Sequence, residues 1–218
     1  MEMILKNKNF LSLAIVVIGV TFIAATLQSP KNVLIVGDSI SIGYTPFIQK
    51  ALNGVNVEHN EGNGGSTVRG VQSIEKWLGN REWDVIIFNF GLHDMVYKDS
   101  LNKYDAVNGK ISVPLNDYKK NLQIIADKLK ETTAKLVFVT TTTVPKDSPG
   151  RKVESPAQYN KVAKEVMKKN GIEVLDLYET SVIVHPPNSK PGNVHYNETG
   201  YELLAQPVIA KIKVLLNK

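Results

Sequence analysis

The chain has 218 residues, 43% of them apolar and 22% charged, which suits one domain with a full hydrophobic core and excludes a disordered chain. Its net charge of +5 comes from lysines scattered over expected helices, such as Lys119, Lys128, Lys164 and Lys168. No basic block interleaved with aromatics marks a nucleic-acid surface. There is no cysteine, which rules out disulfides, thiolate zinc sites, a cysteine nucleophile and a lipoprotein anchor.

At the N-terminus, Lys6 and Lys8 precede the uncharged run FLSLAIVVIGVTFIAATL, Phe10 to Leu27. A basic stretch followed by an apolar one is an export signal, and this one is also long enough to span a bilayer. Residues 1–28 therefore read as a signal peptide, cleaved near Ala24 and Ala25, or as a membrane anchor through residues 10–27. Either places the domain of residues 29–218 outside the cytoplasm: periplasmic, secreted, or held on the outer face of the inner membrane.

From Asn32 onward, short β-branched runs alternate with helical patterns. NVLIV (32–36) is a buried strand, and a helix is expected over Pro46 to Leu52. VNVEH (55–59) is a second strand, followed by a glycine-rich loop from Asn60 to Thr67 and a helix over Arg69 to Leu78. DVIIFNF (84–90) is the third strand. Met95 to Val113 has no clear period and reads as an irregular excursion. Leu115 to Lys130 is an amphipathic helix with Leu115, Tyr118, Leu122, Ile125 and Leu129 on one face. KLVFVTTT (135–142) is the fourth strand, Val144 to Ser155 a proline-containing loop, and Ala157 to Lys169 a helix. IEVLDL (172–177) is the fifth strand, and a last helix runs over Glu198 to Leu216, with a kink expected at Pro207. The alternation predicts an α/β domain with a parallel sheet and helices on both faces, in which ligands bind beyond the C-terminal ends of the strands.

That edge holds the candidate chemistry. Gly37-Asp38-Ser39 follows the first strand, so Ser39 lies at a helix N-terminus, either as a cap or as a nucleophile with backbone donors beside it. Asp38 reads as support for its own turn. NEGNGGST (60–67) is either an ordinary glycine-rich turn or a place where a backbone N–H approaches a ligand. Gly91-Leu92-His93-Asp94 ends a buried strand with two polar side chains that packing explains poorly. In PGNVHYNETGY (191–201), Asn197 is a good N-cap, and His195 is either a catalytic base or a polar residue of a surface loop.

These pieces together resemble the SGNH hydrolases, also called the GDSL family, whose marks are the serine of GDS, a glycine after strand two, G-x-N-D after strand three, and D-x-x-H near the C-terminus. The resemblance spans Asn32 to Lys218. It implies a three-layer α/β/α sandwich with a flavodoxin-like, five-stranded parallel sheet, and hydrolysis of esters or thioesters with no metal and no cofactor. It also implies Ser39 as nucleophile and His195 as general base. The oxyanion hole would be formed by the N–H groups of Ser39 and Gly65, with the His93 side chain where the family has asparagine. A neutral imidazole can donate one N–H, so that role survives in altered form. Asp38 and Asp94 would support the site.

The acid three residues before the histidine is here Gly192, so the expectation is a Ser–His dyad. A backbone carbonyl, or a carboxylate such as Asp94, Asp176 or Asp38, would then hold the imidazole. Arg151 reads as a solvent-exposed arginine, with a contact to an anionic substrate group as the alternative. Tyr97 and Tyr104 are either a sugar platform or loop packing, Thr141, Thr142 and Thr143 line the pocket or express β-propensity, and His59 and His185 are structural. The expected function is an exported esterase removing short acyl groups, acetyl above all, from carbohydrates. The alternatives are an anchored lipase or thioesterase for longer acyl chains and a non-catalytic carbohydrate-binding domain. The expected partner is a small-molecule or glycan ester.

Overall fold

The computed structural model describes residues 29–217. The expected export segment, residues 1–28, lies outside them. Among the described residues no helix is long and apolar enough to cross a membrane.

Five parallel strands form the sheet: β1 (Asn32–Val36), β2 (Asn56–His59), β3 (Val85–Phe88), β6 (Lys135–Val139) and β7 (Glu173–Leu175), in the order β2-β1-β3-β6-β7. β3 is buried throughout, as are Val33 to Val36 of β1, because helices cover both faces and no side of a central strand can be polar. One layer packs α1 (Ser39–Ala51), α5 (Leu177–Asn188) and α6 (Glu198–Leu216). The other packs α2 (Thr67–Leu78), α3 (Leu115–Lys130) and α4 (Ser155–Asn170). The three-layer α/β/α sandwich is as expected. The strand order reverses at β1, which pairs with β2 on one side and β3 on the other, so a crevice opens beyond their C-terminal ends.

Several boundaries differ from the sequence reading. Helix α1 begins at Ser39, not near Pro46, because Asp38 caps it: its carboxylate accepts from the Ile40 N–H at 2.9 Å. Pro46 sits inside α1, and Pro207 lies within α6 without ending it. The excursion of 95–113 contains a short antiparallel hairpin, β4 (Tyr97–Lys98) and β5 (Lys110–Ile111). Helix α5 was not expected: its sequence LYETSVIVHPPN has no amphipathic period and ends in two prolines. What starts it is Asp176, which accepts from the Tyr178 N–H.

Helices α1 and α6 bring the two ends of the domain together, and Gly43 lets them approach. A Cβ there would meet Cε1 of Tyr201 at 2.2 Å. Gly43→Ala is expected to destabilise the fold by about 1–3 kcal/mol through overpacking, more than the helix-propensity gain of alanine returns. Urea unfolding of the variant beside the parent measures it.

Candidate active site

Ser39 is the first residue of α1, so its N–H has no acceptor within the helix, and the positive end of the helix dipole lies at its side chain. Its Oγ lies 2.8 Å from Nε2 of His195. The alternation of buried and exposed residues explains how His195 gets there. Val194 and Tyr196 both point into the protein, and the residue between them is turned outward. Tyr196 packs edge-on against His185, ring centroids 5.1 Å apart, and against Tyr201 of α6.

The group that orients His195 is neither a carboxylate nor a backbone carbonyl. It is the side-chain amide of Asn193. Its Oδ1 lies 2.9 Å from Nδ1 of His195 and accepts the His195 backbone N–H at 3.0 Å. The second bond decides the first. A backbone N–H can only donate, so the atom facing it is the amide oxygen, and the ring nitrogen sharing that oxygen must be Nδ1–H. In the neutral ring Nε2 is then unprotonated and accepts from the Ser39 hydroxyl. None of the three candidate carboxylates reaches His195: Asp94 is engaged by Thr67, Asp176 by Thr140 and Lys164, and Asp38 by Ile40.

Gly192 has a physical reason to differ from the family's acid. The Asn193 N–H closes a turn onto Lys190 O at 3.0 Å, with Pro191 and Gly192 at its centre. Gly192 has φ +70°, and a Cβ on it would meet the Asp147 carbonyl oxygen at 3.0 Å. The Asn193 carbonyl is itself held, by Nε2–H of His185 at 2.7 Å and by the Ser189 hydroxyl at 2.8 Å. Expected to be structural, His185 is a support of the turn that carries His195.

The glycine-rich loop packs on the serine turn. Gly64 N–H donates to Gly37 O at 2.7 Å, and a Cβ at Gly64 would meet that oxygen at 2.5 Å. The Gly65 N–H, expected to face the oxyanion, instead donates to Oδ1 of Asn63 at 2.8 Å, and it is Asn63 that lines the cleft. His93 lies on the cleft wall with Ser39 and His195. Burial holds its pKa below the ordinary histidine value, opposed by the charge of Asp38, so the ring is neutral at neutral pH.

Asp94 is fully buried, and one of its oxygens accepts both the N–H of Thr67, at 2.9 Å, and its hydroxyl, at 2.5 Å. This ties the turn after β3 to the N-terminus of α2. Its other oxygen has no partner on the protein, and burial pushes its pKa up to about 7.

The cleft encloses about 520 Å³ and is walled by Ser39, Asn63, His93, Tyr104, Arg151 and His195 among others. Tyr104 reaches it, whereas Tyr97 packs under Lys152. Thr141, Thr142 and Thr143 do not line it. Arg151 is half-buried at its wall, not solvent-exposed. His59 bonds Ser41 away from the cleft. Among the described residues no group of acidic or histidine side chains is placed to hold a metal ion.

The sequence from residue 35 to 203 matches the model of the GDSL-like lipase/acylhydrolase family. The chain belongs to that family. It is accordingly a serine hydrolase that acts on ester bonds. No curated protein is significantly similar to it in sequence. Among solved structures it is similar to a lipase/acylhydrolase from Enterococcus faecalis, at 21% identity and a TM-score of 0.68, over 84% of this chain and 96% of the other. It is also similar to an acetylxylan esterase from Geobacillus stearothermophilus, at 16% identity and a TM-score of 0.66, over 84% and 94%. An esterase of a Pseudoalteromonas species, whose structure was determined inhibited by monoethylphosphonate, matches at 13% identity and a TM-score of 0.66, over 86% and 100%. At these identities the likeness is one of fold.

Two predictions follow from the geometry of Asn193 and Asp94. Asn193→Ala frees the imidazole to take the wrong tautomer and is expected to lower kcat for ester hydrolysis by about 10²-fold or more, whereas Asn193→Asp keeps an acceptor, adds charge and should match or exceed the parent. Steady-state kinetics of the two variants decide it. Asp94 binds its proton more tightly in the fold than in the unfolded chain, where its pKa has the ordinary value of 3.8, so raising the pH from there towards 7 costs the folded state stability. In Asp94→Asn that cost is removed, and the melting temperature of the variant relative to the parent is expected to rise across this pH window.

Proposed function

We propose that this hydrolase is an exported acetylesterase acting on carbohydrates, with Ser39 as nucleophile and His195 as general base. The observation that carries the reading is the chain of two hydrogen bonds from Ser39 Oγ through His195 to Asn193 Oδ1, in which every donor and acceptor is assigned. The Ser39 oxygen attacks the ester carbonyl carbon while its proton passes to Nε2. The imidazolium returns the proton to the departing alcohol, leaving an acyl-enzyme. His195 then takes a proton from water as the water oxygen attacks the acyl carbon, and returns that proton to Ser39 Oγ as the Oγ–acyl bond breaks, which releases the acid. Negative charge on the carbonyl oxygen is met by the Ser39 N–H at the start of α1 and by one N–H of neutral His93. The Gly65 N–H joins them when it leaves Asn63 for the stronger acceptor.

Several features support a short acyl group on a sugar. The cleft walls offer Asn63, Tyr104, Ser148, Arg151 and Asn193 to the hydroxyls of a sugar, beside the apolar Leu92, Pro149, Pro191 and Val194. The Geobacillus relative by fold is an acetylxylan esterase. Export is supported by Lys6 and Lys8 ahead of the apolar run 10–27. The engagement of the Gly65 N–H by Asn63 is the one observation that favours a binding domain without turnover.

Hydrolysis of p-nitrophenyl acetate separates the two readings. Ser39→Ala and His195→Ala are each expected to lower kcat by about 10³-fold or more with the melting temperature kept. A phosphonate ester should stop the parent and label Ser39, as read by mass spectrometry of the peptide. Turnover retained by Ser39→Ala would remove this serine from the mechanism.

A further inference from the structure

The loop after β6 holds one cation against the cleft. The Arg151 N–H closes a turn onto Ser148 O at 3.2 Å, with Gly150 between them at φ +66°. The Nε–H donates to the carbonyl of Leu92 at 2.9 Å, so the guanidinium sits one residue away from His93. Its carbon lies 5.8 Å from the ring centroid of Tyr104. The Tyr97 N–H donates to Gly150 O at 2.7 Å, which binds the same loop to the β4–β5 hairpin. The guanidinium is thus positioned by the protein on several sides before a substrate arrives.

It has no counter-ion. None of the ion pairs among the described residues includes Arg151. Asp147 is on the same wall but is exposed and outside pairing distance. Asp38, whose charge it feels, is buried beneath the serine turn and spends one oxygen on the Ile40 N–H. Nη1 reaches the Pro149 carbonyl only at 3.5 Å, which leaves most of the guanidinium's five N–H groups without a strong acceptor. Ser148, on the same wall and 5% exposed, has a hydroxyl with no partner on the protein. A half-desolvated arginine costs the fold stability unless something at the site uses it.

We propose that Arg151 is an anion subsite, and that the ester this enzyme cleaves carries a carboxylate on the sugar beside the acylated position. The inference rests on the esterase reading above and narrows it from acetylated carbohydrates to acidic ones. A planar carboxylate fits the fork of a guanidinium, and partial exclusion of water at the wall strengthens the pair. Because the loop is already ordered, little entropy is lost when the pair forms.

Acetate release from mono-O-acetyl glucuronate and mono-O-acetyl glucose, each as its mixture of positional isomers, tests this, with p-nitrophenyl acetate as the reference ester. In the parent, kcat/KM is expected to favour the acid by about tenfold or more. The ratio should fall to near one in Arg151→Gln, stay intermediate in Arg151→Lys, and shrink with added salt. A merely structural role, through the bond to Leu92 O, would lower both substrates in step and leave the ratio where it was. A parent ratio near one, or a ratio unmoved in Arg151→Gln, overturns the subsite, while Ser39-dependent cleavage of p-nitrophenyl acetate in the same experiment keeps the esterase reading standing. No cleavage of any of the three esters takes both down together.

Discussion

One amide oxygen sets the state of the site. Oδ1 of Asn193 accepts from the backbone and the ring of the same histidine, and the backbone bond, which cannot be reversed, fixes what the ring must do. A lone asparagine beside an imidazole is ambiguous, since its amide can present either end. In serine proteases the replacement of the triad aspartate by asparagine costs about 10⁴ in turnover because the wrong tautomer results. Here the main chain removes the ambiguity. The solution uses an uncharged side chain at an exposed position. It provides orientation, and gives up the added attraction that a full negative charge would exert on the imidazolium.

Much of this was legible in the sequence. The parallel sheet could be read because its strands are buried on both faces and so appear as short apolar runs. The bounds of α3 and α6 followed from an amphipathic stripe and from the cap at Asn197. Ser39 and His93 could be placed on one edge because each follows the end of a strand, and His195 joined them through the family resemblance. What escaped was whatever depended on a side chain acting out of register. Asn193 carries no mark of its role, because it is not ionisable and lies two residues from His195 instead of three. The missing signal was the Pro191-Gly192 pair, which announces a turn that swings residue 193 back under the ring. Helix α5 escaped because its pattern is flat, with buried residues fixed by contacts to α6 and not by period. Arg151 escaped because burial at a cleft wall leaves no trace in local sequence.

Electrostatically the site is arranged around neutral groups. The partner that orients His195 is an amide. The expected oxyanion donor His93 is kept neutral by burial. Asp94, also buried, has its pKa pushed up to about 7 by burial and holds the start of α2. Against this background Asp38 and Arg151 are the charges closest to the chemistry. Each is carried by a tight turn, so neither can move far to accommodate the other.

Ser39 and His195 are separated by 156 positions in the chain, and their hydrogen bond closes only when α6 packs beside α1. Ser39 stands near the start of the described domain and His195 near its last helix. A chain whose C-terminal helix has not docked therefore lacks the Ser39–His195 hydrogen bond. Any opening that lifts α6 from α1 returns it to that state. The Ser39–His195 contact and the long-range closure of the domain are in this sense a single event.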